Sequence, residues 1–344
     1  MGQFVADLHS PRLPSVRVAE KVDRALFENE IKTLNAPVLM KGFAKSWQCV
    51  EMAAMGPQAL AGYLKTFDAG APLNVAICPA EFRGRYFYNS TLTGFNFSRS
   101  KFTLSQLVDQ CLKSAAGSNS YYLEAAKVDV SVPGLAADLD MTLVDTEVRP
   151  RLWLGTSVRT QTHFDLLDNI AVHVAGEKEF ILFPPDQIAN LYPGPIDFSP
   201  AGVPISMVQP DNPDLDRYPR FRHAMASATV ARLEPGDALY LPALWWHYVA
   251  TEGPLNMLVN YWWSERRSDI YPPITALYMA ALSFKQMPAA ERNGWAQILD
   301  YFIFERDGDP VEHLPPHMRS VFAANLTAGQ LEQFKILFRQ TTKL

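Results

Sequence analysis

From Tyr121 to Trp263 the chain reads as one short apolar run after another, and this constrains the fold more than any other feature. RLWLGTSV, THFDLLDNIAVHVA, KEFILFPP, ATVARLEPGDALYLP and NMLVNYWW are apolar or alternating segments separated by Pro-Gly, Gly-Asp and Gly-Glu turns. Regularly spaced short strands with that punctuation predict a barrel or a sandwich. One stretch breaks the rhythm. Residues 193–220 hold seven prolines and almost no periodicity, which reads as a long loop of the kind used for lids and binding surfaces.

The flanks differ in texture. Leu26, Phe27, Ile31 and Leu34 recur at helical spacing, residues 37–43 read as a short strand, and residues 73–100 as strands and turns. Residues 102–115 return to a helix, with Thr103 as N-cap and Gln106 completing a capping box. After Ser264 the pattern is helical. Trp295, Ile298, Leu299, Phe302 and Ile303 form one stripe flanked by Tyr301 and Phe304, and Thr327 with Gln330 opens a second helix carrying Leu331, Phe334, Leu337 and Phe338. A helix apolar over more than half its circumference is buried on two sides. The tail is therefore expected to form a homodimer interface, with simple packing on the barrel as the alternative. The expected organisation is mainly β with flanking helices: an α/β extension over 1–118 packed on the barrel, a barrel over 119–265 and a helical tail over 266–344.

Composition narrows the function classes. With 31 Lys+Arg against 36 Asp+Glu, the 344 residues carry a formal charge of −5, which argues against a coat for nucleic acid or a polybasic membrane binder. A hydrophobic share of 48% excludes general disorder. Cys49, Cys78 and Cys111 form no Cys-x-x-Cys pair, so they read as small buried hydrophobes rather than a disulfide framework or a zinc site. The first residues lack the basic start and apolar run of a secretory signal. Met1-Gly2 is a poor myristoylation signal because Ala6 stands where Ser or Thr is expected. No apolar stretch is long enough for a bilayer span. A cytoplasmic protein is expected.

The chemistry-bearing residues are His163, Asp165 and His247. In a strand, positions i and i+2 face one side, so His163 and Asp165 can converge on one ion. One carboxylate and two imidazoles make the facial set of non-haem Fe(II) oxygenases, with open positions left for other ligands. His247 closes the segment Gly236-Asp237…Pro242…His247, in which a Gly-Asp turn starts a strand and the histidine follows a short spacer. His-x-Asp alone is a weak signal; the second segment is what gives it weight. His173 shares the strand parity of His163 and stands as a possible third pocket residue, although an ordinary polar role fits it and His223 as well. His9, His313 and His317 read as surface residues.

KEFILFPPDQIANLYPGP, QPDNPDLDRYPRF, PGDALYLPALWWHYV and LVNYWW, with PVLMKGFAKSW and TGFNF further upstream, resemble the JmjC/cupin-type 2-oxoglutarate oxygenases. The nearest likeness is to the group typified by the factor-inhibiting-HIF asparaginyl hydroxylase. The resemblance covers roughly residues 30–265. It implies a double-stranded β-helix (jelly-roll) core and Fe(II), 2-oxoglutarate and dioxygen as cofactor and cosubstrates. It places the metal on His163, Asp165 and His247, the distal carboxylate of 2-oxoglutarate on Lys178, and hydroxyl contacts on Thr160 and Tyr122, with Tyr121 as the alternative. Asn169 and Asn260 would lie near the cosubstrate, and Trp262 at the substrate entrance. A buried dicarboxylate needs such a paired cation. The implied activity is hydroxylation of a protein or peptide side chain. A small molecule, an RNA base, lysine demethylation and a non-catalytic cupin-like binding module are the alternatives, the RNA version being weakened by the charge.

Overall fold

The computed structural model describes residues 13–115 and 117–341; Met1, Gly2, Ala6 and His9 lie outside them. The chain divides into two compact units, with the boundary between Ser264 and Glu265. In the first unit, β1 (Arg17–Glu20), β2 (Val38–Lys41), β3 (Leu73–Cys78), β4 (Arg85–Tyr86), β5 (Ser98–Phe102) and β6 (Ser120–Lys127) come first. They are followed by β7 (Pro150–Gly155), β8 (Arg159–Phe164), β9 (Asp168–Phe183), β10 (Thr229–Leu233), β11 (Ala238–Leu241) and β12 (Trp246–Trp263). The large sheet runs β1-β2-β11-β9-β12-β7-β6-β3-β5, while β10 pairs with β9 and β8 bridges β12 and β4.

Two long strands turn this ladder into a barrel. Residues 246–252 of β12 pair with 177–183 of β9, and past a register shift 257–263 pair with 168–175. Both strands therefore run through a small sheet, β10-β9-β12-β8-β4, and on into the large one. The corner falls at Gly176 and Gly253, with φ of 89° and 121°. A Cβ on Gly176 would meet Asn256 Oδ1 at 1.9 Å, so glycine alone fits. The result is the double-stranded β-helix, with helices flanking a mostly antiparallel core.

Burial separates three layers. Helices Gln48–Ala54, Pro57–Lys65 and Leu104–Lys113 cover the outer face of the large sheet, setting Leu60, Leu107 and Cys111 against Val172, Tyr240 and Val259. Thr103 and Gln106 form the reciprocal capping box that the sequence suggests. Between the sheets lie Ala171, Phe180, Leu182, Leu239, Leu241 and Leu258. The outer face of the small sheet carries Ile181, Phe183, Trp246 and Tyr248, and it is covered by Leu191, Val208, Phe221 and Ala224. Part of the proline-rich stretch thus has a packing role: it covers an apolar sheet face that would otherwise meet water. Ile205 bridges to His163, and Ser206 donates its N–H to the Thr162 carbonyl at 2.7 Å. Cys49, Cys78 and Cys111 are free and buried, and burial pushes the Cys49 and Cys111 thiols up to about 12.

The second unit contains helices Pro273–Phe284, Ala289–Phe302 and Ala328–Thr341. The middle helix ends at Phe302, so Ile303 and Phe304 lie beyond it. Leu277, Leu282, Ile298, Phe304 and Leu337 are all exposed, Leu282 by 79%. Of the stripe that the sequence marks for burial on two sides, Trp295, Ile298 and Ile303 are exposed, while Leu299 and Phe302 are half-buried. Among the described residues no helix is long and apolar enough to cross a membrane.

Candidate metal centre

His163 stands on β8, Asp165 follows the end of that strand, and His247 is the second residue of β12. The two strands pair His163 directly with His247, and the imidazole centroids are 4.2 Å apart. One ligand atom from each of the three side chains lies within 4.8 Å of the others, and Asp165 Oδ2 is 3.9 Å from His247 Nε2. The i, i+2 spacing accounts for the first pair. Leu244 helps to bring in the third. It sits at φ 70° and donates its N–H to the Asp165 carbonyl at 2.8 Å, tying the turn before His247 to the segment carrying Asp165. A bulky residue in the left-handed region is strained, and such strain gathers at functional sites.

Backbone carbonyls orient both rings. His163 Nδ1 is 2.8 Å from the Gln161 oxygen, and His247 Nδ1 is 3.1 Å from that of Trp245. A carbonyl only accepts, so each Nδ1 carries the proton and each Nε2 keeps its lone pair for a metal. Burial, with His163 adding to it, holds the His247 imidazole well below its ordinary value, in the neutral form a ligand requires. Burial pushes the Asp165 carboxyl up, opposed by His163 and by the Trp262 indole. That indole N–H is buried near Asp165 but has no partner at hydrogen-bonding distance. Two imidazole nitrogens and one carboxylate oxygen suit a divalent transition ion such as iron.

Around the triad, strand parity and one bulge decide which side chains face inward. The β8–β12 register shifts between His247 and Val249, where Val249 pairs with Thr160. Without that shift, Thr160, three residues from His163, would face the opposite side; the bulge returns it to the ligand face. Its hydroxyl faces Tyr122, whose phenol is pushed up by burial with Thr160 acting against the rise. Tyr122 packs on Tyr86 and Trp153, while Tyr121 packs on Phe102 against the outer layer, so Tyr122 is the tyrosine on the pocket side. Lys178 pairs across to Leu233 and Thr251 and shares the inward parity of Phe180 and Leu182. Among the described residues it has no acidic partner, and burial pushes its ammonium down to about 7.

Asn169 and Asn260 meet each other: Asn260 Nδ2 donates to Asn169 Oδ1 at 3.2 Å. Asn260 Oδ1 in turn accepts from Trp153 Nε1 at 2.8 Å. Sequence reasoning missed Trp153; its inward parity in RLWLG was the available signal. Trp262 stands edge-on to Trp153 with centroids 5.9 Å apart, and the Arg151 guanidinium lies 5.3 Å over its ring. His173 is fully buried near Lys178 but is not part of the triad. Its Nε2 is 2.8 Å from the Gly176 carbonyl at the barrel corner, and burial holds it down at about 3. His223, His313 and His317 are exposed. Asp237 of the Gly-Asp turn is structural: its buried carboxylate accepts from the N–H groups of Gly42 and Glu234 and from Lys41 Nζ.

Residues 24–269 match the family described as a cupin-like domain, and the chain belongs to that family, within the wider JmjC/cupin group. HSPB1-associated protein 1 of Homo sapiens is 34% identical over 146 residues, 41% of this chain and 29% of that protein. Jumonji C domain-containing protein 5 of Drosophila melanogaster is 31% identical over 161 residues, 44% of this chain and 38% of that protein. The tRNA wybutosine-synthesizing protein 5 of Homo sapiens is 34% identical over 165 residues, 48% and 45% respectively. The chain spans less than half the length of each of these relatives.

Proposed function

We propose that this chain is an Fe(II)- and 2-oxoglutarate-dependent oxygenase that hydroxylates a side chain of a protein or peptide, releasing succinate and carbon dioxide. One observation carries the reading: a barrel whose inner face joins three ligand atoms within 4.8 Å to a buried lysine that has no acidic partner among the described residues. When bound, iron with 2-oxoglutarate and dioxygen supplies the oxidising power for attack on a C–H bond. The chain does the rest. His163, Asp165 and His247 hold the ion, and the Lys178 ammonium pairs the distal carboxylate. Thr160 and Tyr122 donate hydroxyl hydrogen bonds to the cosubstrate, and the Asn169–Asn260 pair lies beside it. Phe180 and Leu258 keep that end of the barrel dry, and Trp262 lines the entrance.

Anaerobic addition of Fe(II) and 2-oxoglutarate is expected to give the weak visible band of the chelate, and His163→Ala or Asp165→Ala to abolish succinate formation. No band and no 2-oxoglutarate binding by calorimetry would refute this reading and favour a cupin-like binding module. The likeness of residues 160–263 to the asparaginyl hydroxylase group supports a protein substrate. The relative named for tRNA wybutosine synthesis favours, as a second reading, an RNA base; the charge of −5 is a whole-chain quantity and bears on it only weakly. Mass spectrometry for a +16 Da product on peptide and RNA pools separates the two. The exposed apolar helices of the second unit support a homodimer, and a monomeric mass in light scattering would refute it. Free buried cysteines are in keeping with a reducing, cytoplasmic setting.

A further inference from the structure

The small sheet's outer side carries a second feature that the barrel chemistry does not use. A cleft of about 280 Å³ opens between the segment following β4 and residues 207–218 of the proline-rich stretch. Tyr86 packs inward on Tyr122, so Arg85 on the same strand points outward, and it lines this cleft. Its Nε donates to Gln161 Oε1 at 3.3 Å and its guanidinium lies 4.1 Å over the Phe87 ring. Among the described residues neither Nη has a partner, and no carboxylate reaches ion-pair distance. Asp211 acts on Arg85 only from further away and is itself paired with Arg159 at 3.4 Å. Burial disfavours the charge, yet a guanidinium cannot discharge. A half-buried cation without an anion is costly unless something supplies one.

The opposite wall repeats the pattern. The Arg217 guanidinium lies 5.2 Å over Tyr218 and, among the described residues, has no acidic partner; Asp214, a carboxylate that also lines the cleft, spends Oδ1 on the Arg217 backbone N–H at 3.0 Å. Gln209 and Asn212 add carboxamide donors. Two arginines, each backed by an aromatic ring and each with donors left free by the described residues, line one opening. Arginine grips oxyanions through paired N–H donors, a guanidinium plane also stacks on a flat aromatic body, and Leu92 and Met207 in the lining add apolar surface for it.

We propose that this cleft is a binding site for a small oxyanion, a carboxylate or phosphate carried on a planar apolar body. It lies on the face of β8 away from the triad and does not depend on the oxygenase reading. Calorimetric titration of the full chain with phenyl phosphate and with benzoate tests it, with benzyl alcohol as the neutral control. The two anions distinguish phosphate from carboxylate ligands. At least one anion is expected to bind and the alcohol not. Arg217→Ala, on an exposed side chain, is expected to weaken binding about tenfold, the loss of one charge-assisted hydrogen bond. Arg85→Lys is expected to weaken it similarly while retaining the charge, because the paired donors are lost. Lys178→Ala is expected to leave it unchanged. Equal affinity for the alcohol, undiminished binding in Arg217→Ala, or no binding of either anion would overturn the proposal. Loss of binding in Lys178→Ala would move the anion to the barrel and overturn it equally.

Discussion

Lys178 turns the proposed cosubstrate site into a proton-linked one. Burial pushes its ammonium down to about 7, so in the free protein near neutral pH the lysine is about half charged. A bound dicarboxylate pairs with the charged form alone. Below about pH 7 the charge is already present and affinity is flat. Above it, each pH unit costs about 1.4 kcal/mol, a tenfold loss, so binding at pH 9 is about a hundredfold weaker. Calorimetry with 2-oxoglutarate and Mn(II), excluding oxygen, in buffers of different ionisation enthalpy should show proton uptake approaching one as pH rises past 7. Lys178→Arg, charged throughout, should flatten the profile. A flat wild-type profile, or an unchanged slope in Lys178→Arg, would refute the reasoning. The same shift affects stability with a definite sign. The unfolded lysine titrates at about 10.4, so between about pH 7 and 10 the unfolded chain holds the extra proton, and this group makes the unliganded fold more stable as pH rises.

Gly176→Ala combines a left-handed φ with a Cβ placed 1.9 Å from Asn256 Oδ1, and should cost roughly 2–5 kcal/mol. A melting temperature within a degree of wild type would contradict that. Asp237→Ala strips a buried carboxylate from Lys41 Nζ and two backbone N–H groups and should cost about 3 kcal/mol or more; an unchanged denaturant midpoint would argue against it. Trp153→Phe removes the donor that orients Asn260 and should raise the 2-oxoglutarate dissociation constant several-fold with little change in melting. Melting loss at unaltered affinity would make Trp153 a packing residue only.

The parts of this molecule legible in the sequence are those set by local periodicity. Strand parity placed His163 beside Asp165, and the Thr103–Gln106 box fixed the start of a helix. Features created by long-range register were not legible from the residues. Thr160 faces the ligand side because β8 slips against β12, a slip that no period-2 count anticipates. The choice between Tyr121 and Tyr122 needed the β6 neighbours, since adjacent strand residues differ only in which layer receives them. The proline-rich stretch read as a free loop because its apolar residues follow no period; they meet Trp246 and Tyr248 one by one as the chain winds over the small sheet. Arg85 and Arg217 lie far apart in sequence, and neither is marked by a motif.

The two long strands also have a mechanical consequence. β9 and β12 each belong to both sheets, so the sheets cannot part like the halves of a sandwich without breaking ladders on either side of Gly176. Amide protons at the His247 end and the Trp262 end of β12 should therefore exchange with solvent in one shared opening event, and a change at either end should register in the protection of the other. Motions that admit a substrate are then confined to the rim, where loops rather than ladders have to give.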